Sequence, residues 1–247
     1  MWFSKEEMQL IDTPQMQRLR GIKQLGNSSL VYPGAVHTRF EHSLGTCWMA
    51  KRILEALRAN PTSEQVDAHS KRVIIAAALL HDITHIPFGH TFEDERRIFE
   101  RHDENRSRLE HYLDSPQMAP LKQQGIYEDV FRVLSSHREQ IKPYLYQIVA
   151  GTVCADLLDY LKRDAYFCGL SHFYDERLFR YFTICDGQFV IELHKDGIFR
   201  NDALSELINQ LRIRYTLTER VYYHHAKAVA GAMISKALEI AVNKGHI

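Results

Sequence analysis

The sequence has no net charge and no long hydrophobic segment. Its 31 basic side chains balance 31 acidic ones, so the overall charge does not favour nucleic acid or an anionic membrane as a partner. The longest apolar run, VIIAAALL at residues 73–80, is much too short to cross a bilayer. The charged start, MWFSKEEMQL, lacks the apolar region of a signal peptide. These absences predict a soluble, cytoplasmic protein with no membrane segment.

Cysteine is also scarce, and its spacing does not suit a disulfide framework. The four cysteines are far apart and form no CxxC pair. We therefore predict four buried thiols in a reducing compartment. They are Cys47, Cys154, Cys168 and Cys185.

The chain also lacks internal repeats and low-complexity linkers, which predicts one domain over residues 1–247. Its 247 residues, 45% of them hydrophobic, can bury a sizeable core. The chain ends inside or just after a predicted helix, so we expect a catalytic core that is truncated at its C-terminus.

Apolar spacing and capping residues predict a mostly helical chain. Helices are expected at 12–25 (with Pro14 at the first helical position), 38–59, from Ser63 to 80, 93–114, 126–136, 146–170 and 201–241. Clustered glycine, serine and proline predict loops at 26–38 and 84–95, the second broken at Pro87 and Gly89. Residues 181–197 are rich in β-formers and contain two Asp-Gly pairs, which is typical of a hairpin. The predicted fold class is all-α with a small β-hairpin near 181–197.

The stretch LLHDITHIPFGH, residues 79–90, places costly polar groups at the end of an apolar helix. Adjacent side chains such as His81 and Asp82 point about 100° apart on a helix, so both can reach one ion. His42 and Asp156 lie on two other predicted helices and can complete the set, as ligands in helix bundles do. Nitrogen and carboxylate ligands together suit Mn²⁺, Fe²⁺, Co²⁺, Ni²⁺ or Zn²⁺. The alternative is a buried polar network without a metal.

Several motifs resemble those of the HD-domain phosphohydrolases. The segments are RFEHSLG (39–45), LLHDITHIPFGH (79–90) and ADLLDYLKRD (155–164). Two more segments, IDTPQMQRLRGIKQLG (11–26) and YPGAVHTRFEHSLG (32–45), resemble the branch that contains dGTPase-like enzymes and SAM-and-HD-domain dNTPases. The resemblance extends from about residue 8 to 235, nearly the whole chain.

The resemblance implies an HD-domain helical bundle that hydrolyses dNTPs to deoxynucleoside and inorganic triphosphate. It implies one divalent transition metal, with Mg²⁺ accompanying the nucleotide. The implied metal ligands are His42, His81, Asp82 and Asp156. Asp159 is instead expected to pair with Arg163, four residues later on the same helix.

The resemblance also implies roles for residues around the metal. Acid–base work or phosphate stabilisation is assigned to Asp82, His85, Glu93 and His102, with Glu93 anchoring one of the two histidines. Arg39, His90 and Arg214 are expected at the phosphates. The nucleoside contacts are expected from Gln24, Leu25, Tyr160, Asp164 and Tyr222. A nucleotide activator is implied near Asp12, Gln17 and Arg20, and we expect a homo-oligomer.

Two other functions compete with dNTP hydrolysis. One is hydrolysis of a different nucleotide by the same fold: a monophosphate, an alarmone or a cyclic dinucleotide. The other is a non-catalytic HD module that binds nucleotides or nucleic acid. The complete set of candidate metal ligands argues against the non-catalytic module.

Overall fold

The fold is described from a computed structural model, which covers residues 1–88, 90–95, 97–135 and 140–246. The helices are α1 (Lys5–Ile11), α2 (Pro14–Gln17), α3 (Arg39–Ala59), α4 (Ala68–Leu80), α5 (Arg106–Leu113), α6 (Ala119–Gln123), α7 (Tyr127–Leu134), α8 (Pro143–Ala150), α9 (Ala155–Phe167), α10 (Asn201–Leu217) and α11 (His225–Asn243). The strands are β1 (Phe182–Cys185), β2 (Gln188–Ile191), β3 (His194–Lys195) and β4 (Ile198–Phe199). The predicted all-α class is confirmed, and no helix in the described part of the chain is long and apolar enough to span a membrane.

Helix α3 forms the centre of the fold, packed against α9 on one side and α4 on another. It begins with a capping box, in which Thr38 accepts from the backbone of Glu41 and Glu41 accepts from the backbone of Thr38. Residues 73–80 of helix α4 are buried except for Ile75, which is partly buried, so the unbroken apolar run lies almost entirely in the core. Burying each large aliphatic side chain there stabilises the fold by about 1.5–3 kcal/mol.

The β region contains two antiparallel hairpins rather than one. Strand β1 pairs with β2, and β3 pairs with β4. Both turns are the Asp-Gly pairs of the sequence, Asp186-Gly187 and Asp196-Gly197, and all four residues have positive φ. A two-residue turn of this kind matches the twist of the strands, which explains why the Asp-Gly signal is reliable here.

Two long helices predicted from the sequence are each divided in two. The predicted helix 146–170 is broken at Gly151, whose backbone is extended, and restarts with Cys154 as the N-cap of α9. The predicted helix 201–241 widens into one turn of π-helix at Thr218–Tyr222 and restarts after His224. The break allows the Tyr222 hydroxyl to bond to Asp164, so a tertiary contact outweighs the helical pattern.

Three other predicted helices are shorter than expected. In place of a helix over 12–25, α2 is capped by Thr13 and is followed by a 3₁₀ turn at Arg18–Gly21. Helix α4 begins after Asp67 rather than at Ser63, because the Asp67 carboxylate accepts from Ser70. Among the described residues of the predicted helix 93–114, those in a π-helical turn at Thr91–Glu95 and in α5 are helical.

The predicted helix 38–59 is confirmed as α3, whereas the predicted loops 26–38 and 84–95 contain short helical turns at Gly26–Leu30 and Thr91–Glu95. Helix α7 falls within the predicted 126–136, although residue 136 and the predicted loop break at Gly89 lie outside the described residues. Three cysteines are buried, but Cys185 is exposed. Cys185 ends strand β1 beside the hairpin turn, where its side chain leaves the core.

A substitution at Gly45 of α3 can test the close packing of α3 against α9. A methyl group at Gly45 would collide with the side chains of Asp159 and Arg163. We expect Gly45→Ala to lower the free energy of unfolding by about 1–3 kcal/mol, the usual cost of overpacking. Urea denaturation of the metal-free protein measures the change. Gly21→Ala is the matched control, because nothing lies within 4 Å of the added methyl group. Equal stability of the two variants would contradict the packing argument.

Candidate metal centre and adjoining groove

Four side chains from three elements meet at one point beside α3. His42 comes from the first turn of α3, His81 and Asp82 from the end of α4, and Asp156 from the first turn of α9. His42 Nε2 lies 2.9 Å from Asp156 Oδ1, 3.2 Å from His81 Nε2 and 3.9 Å from Asp82 Oδ2. His81 Nε2 lies 3.5 Å from Asp82 Oδ1 and 3.7 Å from Asp156 Oδ1. Ligands about 2.1 Å from a shared ion would be separated by similar distances.

In both His42 and His81, the ring nitrogen that faces away from the other three side chains, Nδ1, already has a hydrogen-bond partner. His42 Nδ1 lies 2.8 Å from Asp159 Oδ2, and His81 Nδ1 lies 2.9 Å from the carbonyl oxygen of Ala78. If each Nδ1 donates its proton to its oxygen partner, each Nε2 carries a lone pair. Two lone pairs would then face each other beside two carboxylates, an arrangement that a cation stabilises. The donor set therefore fits a divalent transition metal.

The electrostatics of His42 and Asp82 agree with a cation site. Burial alone would lower the pKa of His42, but its hydrogen bonds to Asp156 and Asp159 raise that pKa to about 10. The surroundings of His42 thus stabilise positive charge. Burial opposes ionisation of Asp82, but Arg39 and His81 hold its pKa well below the usual range. Asp82 is therefore an ionised carboxylate.

Asp159 supports the candidate metal ligand His42. It is almost fully buried, and besides the contact with His42 it accepts two hydrogen bonds from Arg163, at 2.7 and 2.9 Å. The predicted Asp159–Arg163 pair is therefore present, and Asp159 also orients a ligand. Carboxylate support of this kind fixes the ring of a metal-binding histidine.

Three further histidines adjoin the four ligands. His85 Nε2 lies 3.3 Å from Asp82 Oδ1, and its ring stacks on that of His102 with centroids 3.5 Å apart. His90 contacts both rings edge-on, and the three histidines could themselves hold an ion. Burial and the charge of Arg39 lower the pKa of His85 well below its usual value, so this imidazole is neutral.

A buried carboxylate orients His102. Glu93 Oε2 lies 2.9 Å from His102 Nδ1, and its carboxylate is fully buried. Burial opposes ionisation of Glu93, but the hydrogen bond and charge of His102 lower its pKa. The structure thus pairs Glu93 with His102 rather than with His85, a choice that the sequence left open.

Arg39 lies at the same centre. Its Nη1 donates to Asp82 Oδ2 at 2.8 Å, and both side chains are buried. Arg39 therefore contacts a candidate metal ligand directly. A guanidinium has five N–H donors, so this bond leaves others that can bind a phosphate oxygen.

A groove of about 890 Å³ opens beside Asp156. Its polar lining includes Gln147, Thr152, Asp156, Tyr160 and Arg214, and Arg214 is the one lysine or arginine among the described residues that line it. Its apolar walls include Val153, Leu157, Phe189, Ile191 and Leu207. The groove therefore offers a large volume with little positive charge.

The residues predicted to bind the nucleoside lie near the C-terminal half of α9. Tyr160 and Tyr222 meet edge to face, and the Tyr222 hydroxyl donates to Asp164 Oδ2 at 2.7 Å. Asp164 Oδ1 lies 2.8 Å from His37 Nε2, so both carboxylate oxygens already have protein partners. Leu25 is buried, and the backbone of Gln24 bonds to that of His37.

Sequence reasoning missed His37 in this cluster. His37 is buried and stacks on Phe167, and its partner Asp164 lies 127 residues away. A lone histidine before a helix N-cap gives no signal of such a distant contact. The predicted activator residues are elsewhere: Arg20 bonds to Gln17 at 2.7 Å on the surface, and Asp12 is exposed.

Comparison with known proteins gives a consistent family. Residues 39–164 match the HD domain family. The chain is 30% identical to a protein named deoxynucleoside triphosphate triphosphohydrolase SAMHD1 homolog, from Dictyostelium discoideum, over 93% of this chain and 45% of that protein. It is 33% identical to an uncharacterized protein from Methanocaldococcus jannaschii, over 96% of this chain and 47% of that protein.

A solved structure has the same fold. The crystal structure of a hypothetical protein from Aquifex aeolicus superposes with a TM-score of 0.80 at 31% identity, over 98% of this chain and 62% of that chain. The chain thus spans about half the length of the two relatives named above and less than two thirds of this solved chain.

The role of Asp159 can be tested by metal affinity. Asp159→Asn replaces the carboxylate that orients His42, so we expect metal affinity to fall by about 10- to 100-fold. Competition with a chelator, followed by elemental analysis, measures the change. The surface variant Asp114→Asn is the control. Unchanged affinity in Asp159→Asn would show that this carboxylate does not support the ligands.

Proposed function

The chain belongs to the HD domain family, and from this premise we propose that it is a metal-dependent phosphohydrolase that hydrolyses dNTPs to deoxynucleoside and inorganic triphosphate. The observation that carries the proposal is the convergence of His42, His81, Asp82 and Asp156, with the outer nitrogen of each histidine held by an oxygen partner. The triphosphohydrolase name of the Dictyostelium relative supports the choice of substrate.

The four ligands would hold a divalent transition metal, which when bound polarises a phosphoryl oxygen and activates water. The chain's own residues bind and orient the nucleotide. Arg39 can bond to Asp82 and to a phosphate oxygen together, because its guanidinium carries five donors. Arg214, in the groove beside Asp156, supplies a second cation for the phosphates.

Proton transfer to the leaving 5′-oxygen falls to the histidines. In the proposed reaction water attacks the α-phosphorus, the bond to the 5′-oxygen breaks, and that oxygen needs a proton. Glu93 holds His102 by Nδ1, which directs Nε2 away from the carboxylate. His102 is therefore our candidate acid. His85 is neutral and stacked on it, so we assign His85 to phosphate contact or to accepting a proton.

The first test is a product assay. The purified protein is incubated with each dNTP and Mn²⁺ or Mg²⁺, and the products are separated by chromatography. We expect deoxynucleoside and triphosphate, and we expect Asp82→Ala to abolish turnover because it removes a metal ligand. Asp114→Ala, an exposed carboxylate remote from the four ligands, should retain activity. Release of orthophosphate or pyrophosphate would place the cut elsewhere and would overturn this proposal.

One observation favours a second candidate, hydrolysis of a nucleotide with fewer phosphates. A triphosphate carries several negative charges, whereas the groove beside Asp156 has one cation among its described lining residues and largely apolar walls. A monophosphate or a cyclic dinucleotide would need less compensation. A side-by-side assay of dNTPs, dNMPs and cyclic dinucleotides decides between the two candidates by kcat/KM.

A further inference from the structure

The turn that follows Asp82 is held by two arginines from other parts of the chain. Arg18 donates from Nη2 to the carbonyl oxygen of Ile83 at 2.7 Å and from Nη1 to that of His85 at 2.8 Å. Arg108 donates to the carbonyl oxygen between them, that of Thr84, at 3.4 Å. Three successive carbonyl groups are thus bound by two guanidinium groups.

The setting of Arg18 indicates that these bonds do more than stabilise the surface. Arg18 lies in the 3₁₀ turn after α2, it is partly buried, and its guanidinium packs 4.9 Å from the ring centroid of Tyr112. Within the described part of the chain it forms no ion pair with a carboxylate. Burial of this charge has a desolvation cost, which the two carbonyl bonds and the contact with Tyr112 offset. The effect of Arg18 is to fix the direction of the peptide groups that it binds.

Those peptide groups determine where His85 lies. Asp82 precedes the turn as a candidate metal ligand, and His85 ends it against Asp82 and the ring of His102. Thr84 adds a second link, because its hydroxyl donates to the backbone carbonyl of His102 at 3.0 Å. If Arg18 is lost, the carbonyls of Ile83 and His85 lose charged donors and the turn can rotate. His85 would then leave its stack, while the four metal ligands would stay in place.

We propose that Arg18 is a positioning residue that holds His85 in its working position through the backbone of residues 83–85. The inference rests on the proposed phosphohydrolase activity only for its effect on turnover. The contact of Arg18 with the carbonyl groups of Ile83 and His85, which we call the clamp, is a property of the fold and can be measured without a substrate. This separates a failure of the clamp from a failure of the proposed function.

The first measurement is hydrogen–deuterium exchange of the peptide that covers residues 79–88. We expect faster exchange in Arg18→Gln, because the peptide groups of the turn are no longer held. Arg106→Gln is the matched control, since Arg106 is an exposed arginine that bonds to Glu110 and packs over the ring of Phe131, away from the turn. Arg18→Lys keeps the charge but cannot form the two-pronged contact, so it should lie between Arg18→Gln and the unmodified protein.

The second measurement is turnover on the nucleotide that the unmodified protein hydrolyses. We expect Arg18→Gln to lower kcat by about 10- to 100-fold, as a small displacement of a reacting group does. KM, metal content and melting temperature should stay close to those of Arg106→Gln. A variant that is only less stable would lose metal or melting temperature as well. If Arg18→Gln does not fold, Arg18→Lys gives the same comparison.

Each result decides a separate point. Unchanged exchange in the peptide 79–88 overturns the clamp, whether or not the protein hydrolyses nucleotides. Faster exchange with unchanged kcat overturns the positioning role. Faster exchange with a lower kcat, an unchanged KM and retained metal supports both. If the unmodified protein hydrolyses no nucleotide, the proposed function fails, and exchange alone decides the clamp.

Discussion

The two nitrogens of His42 face different partners, and the rest of the site depends on this. Nδ1 lies against the buried carboxylate of Asp159, and Nε2 points at His81 and Asp156. The two carboxylates in contact with this buried imidazole stabilise positive charge, which a bound cation would supply. The N-terminal turns of α3 and α9 and the C-terminal end of α4 must therefore lie close together. Gly45 permits that approach, because it leaves space for the Asp159 and Arg163 side chains against α3.

The surrounding structure serves to hold this centre in a low-dielectric environment. The C-terminal half of helix α4 is largely buried, and His81 Nδ1 contacts the carbonyl oxygen of Ala78 in its last turn. Burial makes every unpaired polar group expensive, so the polar residues near the metal centre form pairs. Glu93 pairs with His102, Arg39 with Asp82, and Asp164 with Tyr222 and His37. The same pairing limits how far each group can move, which suits the proposed role of orienting a phosphate.

Much of the fold could be predicted because its signals are local. The capping box at Thr38, the apolar run of α4 and the two Asp-Gly turns depend on neighbours within a few residues. Two breaks inside long helical patterns were not predicted. Residues 146–170 have a continuous helical pattern, yet Gly151 is extended and α9 restarts at Cys154, beside the groove. The break after Tyr222 coincides with its bond to an aspartate 58 residues earlier.

For the site, the sequence by itself determined the chemistry: a His-Asp doublet at the end of an apolar helix and two further candidate ligands, with the nitrogen and oxygen donors that transition metals prefer. Tertiary structure alone decided which groups support them. Asp159 turned out to orient His42 as well as to pair with Arg163, and Glu93 pairs with His102. Arg18 could not have been identified from the sequence, because its partners are backbone carbonyls 65 and 67 residues away. Every residue has a carbonyl group, so only the folded chain shows which ones an arginine binds.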